Sequence, residues 1–392
     1  MPDQERVARW VGEVAVVGVG ETDYPDDYRR VRKEGRRNDS YALGATALKR
    51  ALADAGLGKS DVDGLIVGPT LAYERMAEIL DLNPRWAGTG DAANALLQGA
   101  LAIAAGLAEV VALVYGNAQN SLGTAYGGPD AMGGNLYLSY VYYAPWGLTS
   151  QGGLYALMTQ RYMALTGLTS RDLGQVAVAQ RQWAHLNPRA IMRTPITLDD
   201  YLASRFIAEP LHLYDYCLIN DGGVALVLTT RDRAARMGRP FAVLAGVGRA
   251  ESNYDATQLR PRLMDFYHPA HRLAAEQVYG AAGIGPEDVD VVQIYDSFSC
   301  HIPFALEGFG FCAPGEVGAL LRSGALAPGG RLPCNTSGGH LSESYMQGWN
   351  HQVEAVRQIR GECGARQVPD VRHVQYISDV AGKVVTYIFR RG

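Results

Sequence analysis

An α/β fold made of two similar halves is predicted, and three observations predict it. Nine residues, Ala55-Gly56-Leu57-Gly58-Lys59-Ser60-Asp61-Val62-Asp63, return 227 positions later as Ala282-Gly283-Ile284-Gly285-Pro286-Glu287-Asp288-Val289-Asp290. Each copy follows a helical apolar pattern: Leu48, Leu52 and Ala55 in the first, Leu273, Val278 and Ala281 in the second. Each then enters an apolar strand, Leu65-Ile66-Val67 or Val291-Val292-Gln293-Ile294. Glycine at the helix end takes the left-handed cap conformation, and the short polar stretch turns the chain into a buried strand. Because the helix–cap–strand context matches as well as the residues, duplication explains the repeat better than chance.

In chain order, Val14 to Gly20 is a β-branched run ending in glycine, the first strand. Its Gly18-x-Gly20 pair resembles the opening of a dinucleotide loop, but position 23 is Asp23 where a third glycine belongs, so no nucleotide site is expected. Asp39 or Ser40 can cap a helix running to Ala55. A second apolar helix from about Ala92 to Ala105 ends at Gly106, and Val110 to Tyr115 follows as a strand. Between Asn117 and Arg205 the pattern changes. Tyr126, Tyr137, Tyr140, Tyr142, Tyr143 and Trp146 crowd a Gly-rich stretch, and helices are expected around Leu154–Leu165 and Asp172–Asn187. This region, about residues 117–205, is expected to be an insertion folded over one half. Its aromatic cluster serves packing or a subunit contact, with a substrate-covering role as the alternative. Asp221 to Leu228 is a strand, Arg231–Pro240 a linker, and Phe241–Val247 the next strand. The closing segment echoes the earlier unit, with a helix from Val353 to Arg360, Gly361, and strands Val371–Ile377 and Val384–Phe389. The expected division is an N-terminal half over residues 1–235 and a C-terminal half over residues 236–392.

The 392 residues are 47% hydrophobic and 19% charged, the balance of a soluble globular protein with room for two cores. A net charge of −4 offers no basic footprint, so nucleic acid is not an expected partner. An acyl-CoA ligand remains compatible, since a few local Arg or Lys residues can serve its phosphates. Cys217, Cys300, Cys312, Cys334 and Cys363 are scattered, with no C-x-x-C pair. That odd count, with no secretory-type apolar segment at the N-terminus, points to reduced thiols and a cytoplasmic location. No run approaches roughly 18 consecutive apolar residues, so no membrane span is expected.

Several motifs in a fixed order carry a family resemblance. They are the duplicated helix–Gly–strand units, the Ile103–Gly106 helix end before Val110-Val111, and Asn220-Asp221-Gly222-Gly223 before a strand. Most specific is Leu332-Pro333-Cys334-Asn335-Thr336-Ser337-Gly338-Gly339, followed by Gly348, Arg357, Gln358, Arg360 and Gly361. In this order they resemble the thiolase superfamily, and within it the sterol-carrier-type thiolases and lipid-transfer homologues. The resemblance implies two βαβαβαββ halves in a five-layered αβαβα arrangement, and a homodimer.

Where the sequence departs from that family is more informative. A sterol-carrier-type thiolase places its nucleophilic cysteine at the start of the second helix. Counting back from Gly106 puts that position at Thr89 or Gly90, and no cysteine precedes Cys217. The family's H-D-C-F strand end is here Tyr295-Asp296-Ser297-Phe298. Its second histidine, in G-G-x-x-[SN]-K-G-H-P-x-G, is replaced by Tyr345 within Gly338-Gly339-His340-Leu341-Ser342-Glu343-Ser344-Tyr345-Met346-Gln347-Gly348. No cysteine follows Cys363 to act as the C-terminal acid/base. Claisen chemistry through an acyl-enzyme needs a thiolate, so thiolase activity is excluded.

Two tyrosines in two histidine positions suggest a different chemistry. A phenol, with an ordinary pKa near 10, is a neutral donor at pH 7 and a base only in an activating environment. Retro-aldol cleavage of a β-hydroxyacyl-CoA uses both abilities and needs no covalent intermediate. The pattern resembles the thiolase-like aldolases of bacterial steroid side-chain degradation. That resemblance implies a 17-hydroxy steroid with a three-carbon CoA side chain as substrate, and a 17-keto steroid and propionyl-CoA as products. It also implies a partner containing an OB-fold and linked to an enoyl-CoA hydratase, and no cofactor, CoA being part of the substrate. Tyr295 and Tyr345 are the expected acid/base pair, with Tyr345 as base and Tyr295 as donor, or the reverse; two buried tyrosines that merely fill histidine pockets are the alternative.

Other residues are expected to line the site. Asp296 orients the strand end or a water, or is structural. Asn335, Ser337, Gly338 and Gly339 form a tight turn beside the thioester. His340, Glu343 and His351 flank Tyr345, but no shared helical face is evident and no metal site is expected. His185 is expected to be packed or on the surface, and Cys300 and His301, taken as adjacent strand residues, point to opposite faces. The competing functions are a non-catalytic acyl-CoA or lipid-binding subunit and a scaffold for the hydratase partner.

Overall fold

The duplicated segment folds the same way twice. In the computed structural model, residues 10–124, 146–148, 150–251, 268–380 and 383–392 are described. The first half runs β1 (Val14–Glu21), α1 (Ser40–Ala55), β2 (Gly64–Val67), β3 (Trp86–Thr89), α2 (Ala92–Ala104) and β4 (Val110–Ala118). After it come α3 (Gln151–Thr166), α4 (Ser170–Leu186), a small hairpin of β5 (Phe206–Ala208) and β6 (Leu211–His212), and β7 (Asp221–Thr230). The second half runs β8 (Ala242–Glu251), α5 (His268–Ala282), β9 (Val291–Ile294), α6 (His301–Gly308), α7 (Trp349–Arg360), β10 (His373–Val380) and β11 (Lys383–Arg391).

The repeated residues explain themselves in the two turns that follow α1 and α5. Asp61 and Asp288 each accept the N–H of the glycine three residues earlier, Gly58 and Gly285, at 2.9 Å. Asp63 and Asp290 staple the neighbouring strand. Asp63 accepts the N–H groups of Glu109 and Val110 at 2.9 and 2.8 Å, and Asp290 those of Arg372 and His373 at 2.7 and 2.8 Å. At the far ends of β2 and β9 the equivalence persists: Gly68 N–H bonds Val114 O and Tyr295 N–H bonds Ile377 O, both at 2.8 Å.

The strands order as β3-β2-β4-β7-β1 in the first half and β8-β11-β10-β9 in the second. The two meet at a two-residue antiparallel junction, Ala15 with Val243 and Val16 with Ala242. Within each half the short strands are parallel and the last strand returns antiparallel. The second half lacks a full counterpart of β3, contrary to the symmetrical expectation. A single bridge between Val292 and Cys334 stands in its place. Pro333 has no N–H to extend a ladder there.

Three buried clusters separate five layers. One packs α1 (Ala47, Leu48, Ala51) on the outer face of the first half's strands. A central one encloses α2 and α7 (Leu96, Ile103, Val353, Val356) between the two sets of strands. The third covers the outer face of the second half with α5 and α6, and here α3 and α4 also contribute Tyr162 and Val176. In the central layer the Trp349 ring of α7 stacks on Tyr115 of β4 at 5.6 Å and 5°, a contact worth about 1 kcal/mol beyond burial.

Gly18 and Gly20 serve packing. A Cβ at either would lie 2.2 Å from a carbonyl oxygen of α1, Ala51 O or Ala47 O. The linker segment contains a helical turn, Arg231–Arg236, capped by Thr230. Tyr126, Tyr137, Tyr140, Tyr142 and Tyr143 lie outside the described residues; Trp146 is 86% exposed. Among the described residues no helix is long and apolar enough to cross a membrane.

Candidate active site

Tyr295 emerges from the end of β9, where its backbone is fixed on both sides. Its N–H bonds Ile377 O of β10. On the other edge the Asn335 side chain replaces the missing strand: Oδ1 accepts the Ile294 N–H at 2.7 Å and Nδ2 donates to Ile294 O at 2.9 Å. Asn335 sits at φ 50, a left-handed conformation that asparagine tolerates better than most residues. The Tyr295 ring is 7% exposed.

Tyr345 lies in the segment between the short helical turn Gly339–Ser342 and α7, and the first half clamps it. Its N–H bonds Asn220 Oδ1 at 2.8 Å, and its carbonyl accepts from Asn117 Nδ2 at 3.4 Å. Asn220 also donates to Ser344 Oγ at 2.8 Å. Asn117 is the penultimate residue of β4 and Asn220 immediately precedes β7, so the ends of two first-half strands hold a second-half loop. The result is a Tyr295 Oη to Tyr345 Oη distance of 3.1 Å, a direct hydrogen bond.

Beneath the pair lies a fully buried group of Asp296, His340 and His351. Asp296 accepts the backbone N–H of His340 at 3.0 Å, which ties the strand end to the Gly339–Ser342 turn. His340 Nδ1 and His351 Nε2 approach Asp296 Oδ1 at 3.2 and 2.9 Å, close but off the ideal hydrogen-bond line. Burial, with His351 beside it, pushes the His340 imidazole well below its ordinary pKa, so the ring is neutral. Its Nε2 accepts the Gly348 N–H at 2.9 Å, which leaves the ring proton on Nδ1, facing Asp296. Among the described residues this is the one His/Asp group compact enough to suggest a metal. A metal on Nδ1 would need the proton moved to Nε2, against the Gly348 N–H, so the donor set does not fit one. Gly348 itself cannot carry a side chain: a Cβ there would lie 2.2 Å from Tyr376 Oη.

The remaining expected residues divide. Ser337 is buried, and its carbonyl accepts from Asn187 Nδ2 at 2.9 Å. Gly338 packs on Ala184 of α4, and Gly339 abuts the Asp296 carboxylate. Glu343 points elsewhere, accepting from Asn187 and Asn350 at 2.9 and 2.8 Å. Thr89 is exposed at the end of β3, and its carbonyl accepts from Gln98 at 3.2 Å; Gly90 packs over Ala95. Two residues beyond Gly90, at the start of α2, the Ala92 carbonyl accepts from Gln352 of α7 at 2.9 Å. His185 is exposed, its ring near Arg193 O. Cys300 and His301 do not continue a strand: Cys300 precedes α6 and His301 opens it, because the chain turns at Ser297–Cys300.

Several residues at the site carried little sequence signal. Asn220 was visible only as part of a fold motif, and Asn117 only as the point where a pattern changed. His301, buried, reaches Ser297 Oγ with Nε2 at 3.0 Å, and its ring meets the Tyr295 ring at 5.6 Å and 88°. From Phe298 an aromatic wall continues to Tyr155 of α3, stacked at 4.6 Å, and to Tyr216 at 5.0 Å. Two thiols lie near Asp296. Burial, with Asp296 added, pushes both Cys217 and Cys334 well above the ordinary thiol pKa, so neither is a thiolate at neutral pH.

A family model described as thiolase C-terminal domain-like matches residues 253–390. The chain is 36% identical over 386 residues to the steroid side-chain-cleaving aldolase of Thermomonospora curvata, across 93% of this chain and 94% of that protein. It is 37% identical over 383 residues to the 17-hydroxy-3-oxo-4-pregnene-20-carboxyl-CoA lyase of Mycobacterium tuberculosis, across 93% and 95%. Among solved structures, the Ltp2-ChsH2(DUF35) aldolase matches with a TM-score of 0.86 at 34% identity, across 97% of this chain and 98% of that one.

Proposed function

The chain belongs to the thiolase-like family of steroid side-chain-cleaving aldolases, and from that premise we propose that Tyr295 and Tyr345 carry out a retro-aldol cleavage here. The substrate is a 17-hydroxy steroid bearing a three-carbon CoA thioester, the class named by the mycobacterial relative. The single observation that carries this reading is the 3.1 Å contact between the two phenol oxygens.

Two phenols at that distance can share one proton, and the route starts from the pair carrying a single proton, a phenolate hydrogen-bonded to a phenol, which an activating environment must stabilise. The Tyr345 oxygen takes the proton of the steroid hydroxyl. The electrons of that O–H bond form the ketone, the carbon–carbon bond to the side chain breaks, and its pair passes into the thioester enolate. Tyr295 then gives its proton to the enolate carbon, releasing propionyl-CoA. One proton enters the pair and one leaves it. A shift along the Tyr345–Tyr295 hydrogen bond restores the starting state. General acid–base transfer of this kind supplies roughly 10²–10⁴-fold in rate. No thiolate is required, in keeping with the protonated Cys217 and Cys334.

The solved Ltp2-ChsH2(DUF35) aldolase supports a comparable DUF35 partner for this chain, and a homodimer is part of the proposal on the family resemblance alone. In this proposal the partner is the OB-fold protein that the resemblance implies, linked to the hydratase that makes the substrate. The test is mass-spectrometric product analysis of the full chain, with and without that partner, on the 17-hydroxy steroid CoA thioester. A 17-keto steroid and propionyl-CoA are expected. Tight binding without turnover under either condition would instead make the chain a ligand-carrying or scaffolding subunit.

A further inference from the structure

Both reacting rings rest on one imidazole that has no part in the proton transfers described above. The His340 ring meets Tyr295 at 5.0 Å and 84°, and Tyr345 at 4.9 Å and 61°. Edge-to-face packing of this kind fixes a ring's direction as well as its distance. Tyr295 comes from a strand end and Tyr345 from a loop three residues beyond the Gly339–Ser342 helix, so no shared backbone element sets their separation. His340 is what they have in common.

The imidazole is itself held at three points. Its backbone N–H is bound by Asp296, its Nε2 accepts the Gly348 N–H, and its Nδ1 faces Asp296 Oδ1. His351 of α7 approaches the same carboxylate oxygen, and its ring lies 4.3 Å from that of His340 at 78°. All three side chains are fully buried, so their arrangement is set by packing rather than by solvent. A phenyl ring at position 340 could fill the space, but it would leave the Gly348 N–H without its acceptor and remove the ring nitrogen that faces Asp296.

We propose that His340, oriented by Asp296 and braced by His351, is the positioning residue that keeps Tyr295 and Tyr345 within hydrogen-bond reach of each other. The catalytic consequence rests on the aldolase reading above; the geometric part does not. Tyr295 is also flanked by His301, so loss of His340 should displace Tyr345 further than Tyr295.

Asp296→Asn and His340→Phe, made in the full chain, test this alongside Tyr345→Phe. Asp296→Asn is nearly isosteric and carries the test if His340→Phe does not fold. Outer residues that orient a reacting group typically change activity by about 10–100-fold, and a displacement of about 1 Å can cost 10²-fold. The expected result is therefore a fall of about 10–100-fold in kcat with KM held within about twofold. The pH profile of kcat should shift, and the phenol oxygens should stand beyond hydrogen-bond range in a crystal structure of the variant. If both variants keep kcat within about threefold of the parent while Tyr345→Phe is inactive, the positioning role is overturned and the aldolase reading stands. If the parent chain cleaves nothing either with or without the partner, the aldolase reading fails, and the oxygen separation in the variant crystals still decides the positioning role: unchanged separation overturns it, and a widened one supports it.

Discussion

Replacing Tyr345 by phenylalanine removes one oxygen, and the structure separates its effect on chemistry from its effect on folding. That oxygen lies 3.1 Å from Tyr295 Oη on a half-buried side chain. Losing a hydrogen bond in such a place costs about 1 kcal/mol of stability. Losing a general acid or base costs about 10²–10⁴ in rate, or roughly 3–5 kcal/mol of transition-state stabilisation. Tyr345→Phe should therefore lower turnover by at least 10²-fold and leave thermal unfolding almost where it was. Tyr295→Phe should do the same. Because the two phenols act as a unit, the double variant should be little worse than either single one. The assay is initial-rate formation of propionyl-CoA and the 17-keto steroid, with unfolding followed by calorimetry. Turnover retained by both single variants would refute the shared-proton mechanism, as would fully additive losses.

Other consequences follow from neighbouring groups. Asn220→Ala frees the Tyr345 N–H and the Ser344 hydroxyl from a buried amide; a stability loss of about 1–3 kcal/mol by denaturant unfolding, together with reduced kcat, is expected. His301 is held neutral by burial, its pKa lowered to about 4 despite nearby Asp379. A base with a depressed folded pKa contributes stability that is complete above its unfolded value near 6.5 and is lost as pH falls through about 4, amounting to about 3 kcal/mol. His301→Phe should accordingly flatten the acid limb of the melting-temperature profile over that window, and an unchanged slope would contradict the assignment. Cys217→Ala should retain turnover, and intact-mass measurement during turnover should show no acyl adduct on the protein. A trapped thioester would contradict the non-covalent route.

Much of the scaffold was legible because its signals are local. The glycine caps after α1 and α5, the paired aspartates of the repeated turns and the apolar strands all act within a few residues of themselves. Tyr295 and Tyr345 were legible for another reason: each fills a motif position whose usual occupant is a different functional group. What could not be read is long-range. Asn220 and Asn117 hold Tyr345 from 125 and 228 positions away. Cys334 occupies the place of a third strand, and only the pairing with Val292 shows that Pro333 reduced it to one bridge. The pairing of His340 with His351 on Asp296 was hidden because His340 follows two glycines and His351 lies in a separate helix. Thr89 and Gly90, inferred by counting back from Gly106, stand at the end of β3 and just before α2.

The two copies end in equivalent strand termini, and only the second carries a phenol. The residue matching Tyr295 in the earlier copy is Gly68, which makes the same main-chain bond to the adjacent strand. A Cβ at Gly68 would lie 2.3 Å from the Tyr115 ring, which already fills that space and stacks on Trp349. Grafting a phenol onto the unarmed terminus would thus require Tyr115 to shrink first, and with it would go a contact that joins the copies. The space at the first terminus is committed to gripping its twin, which on the proposed mechanism accounts for a twofold scaffold with a single reactive centre.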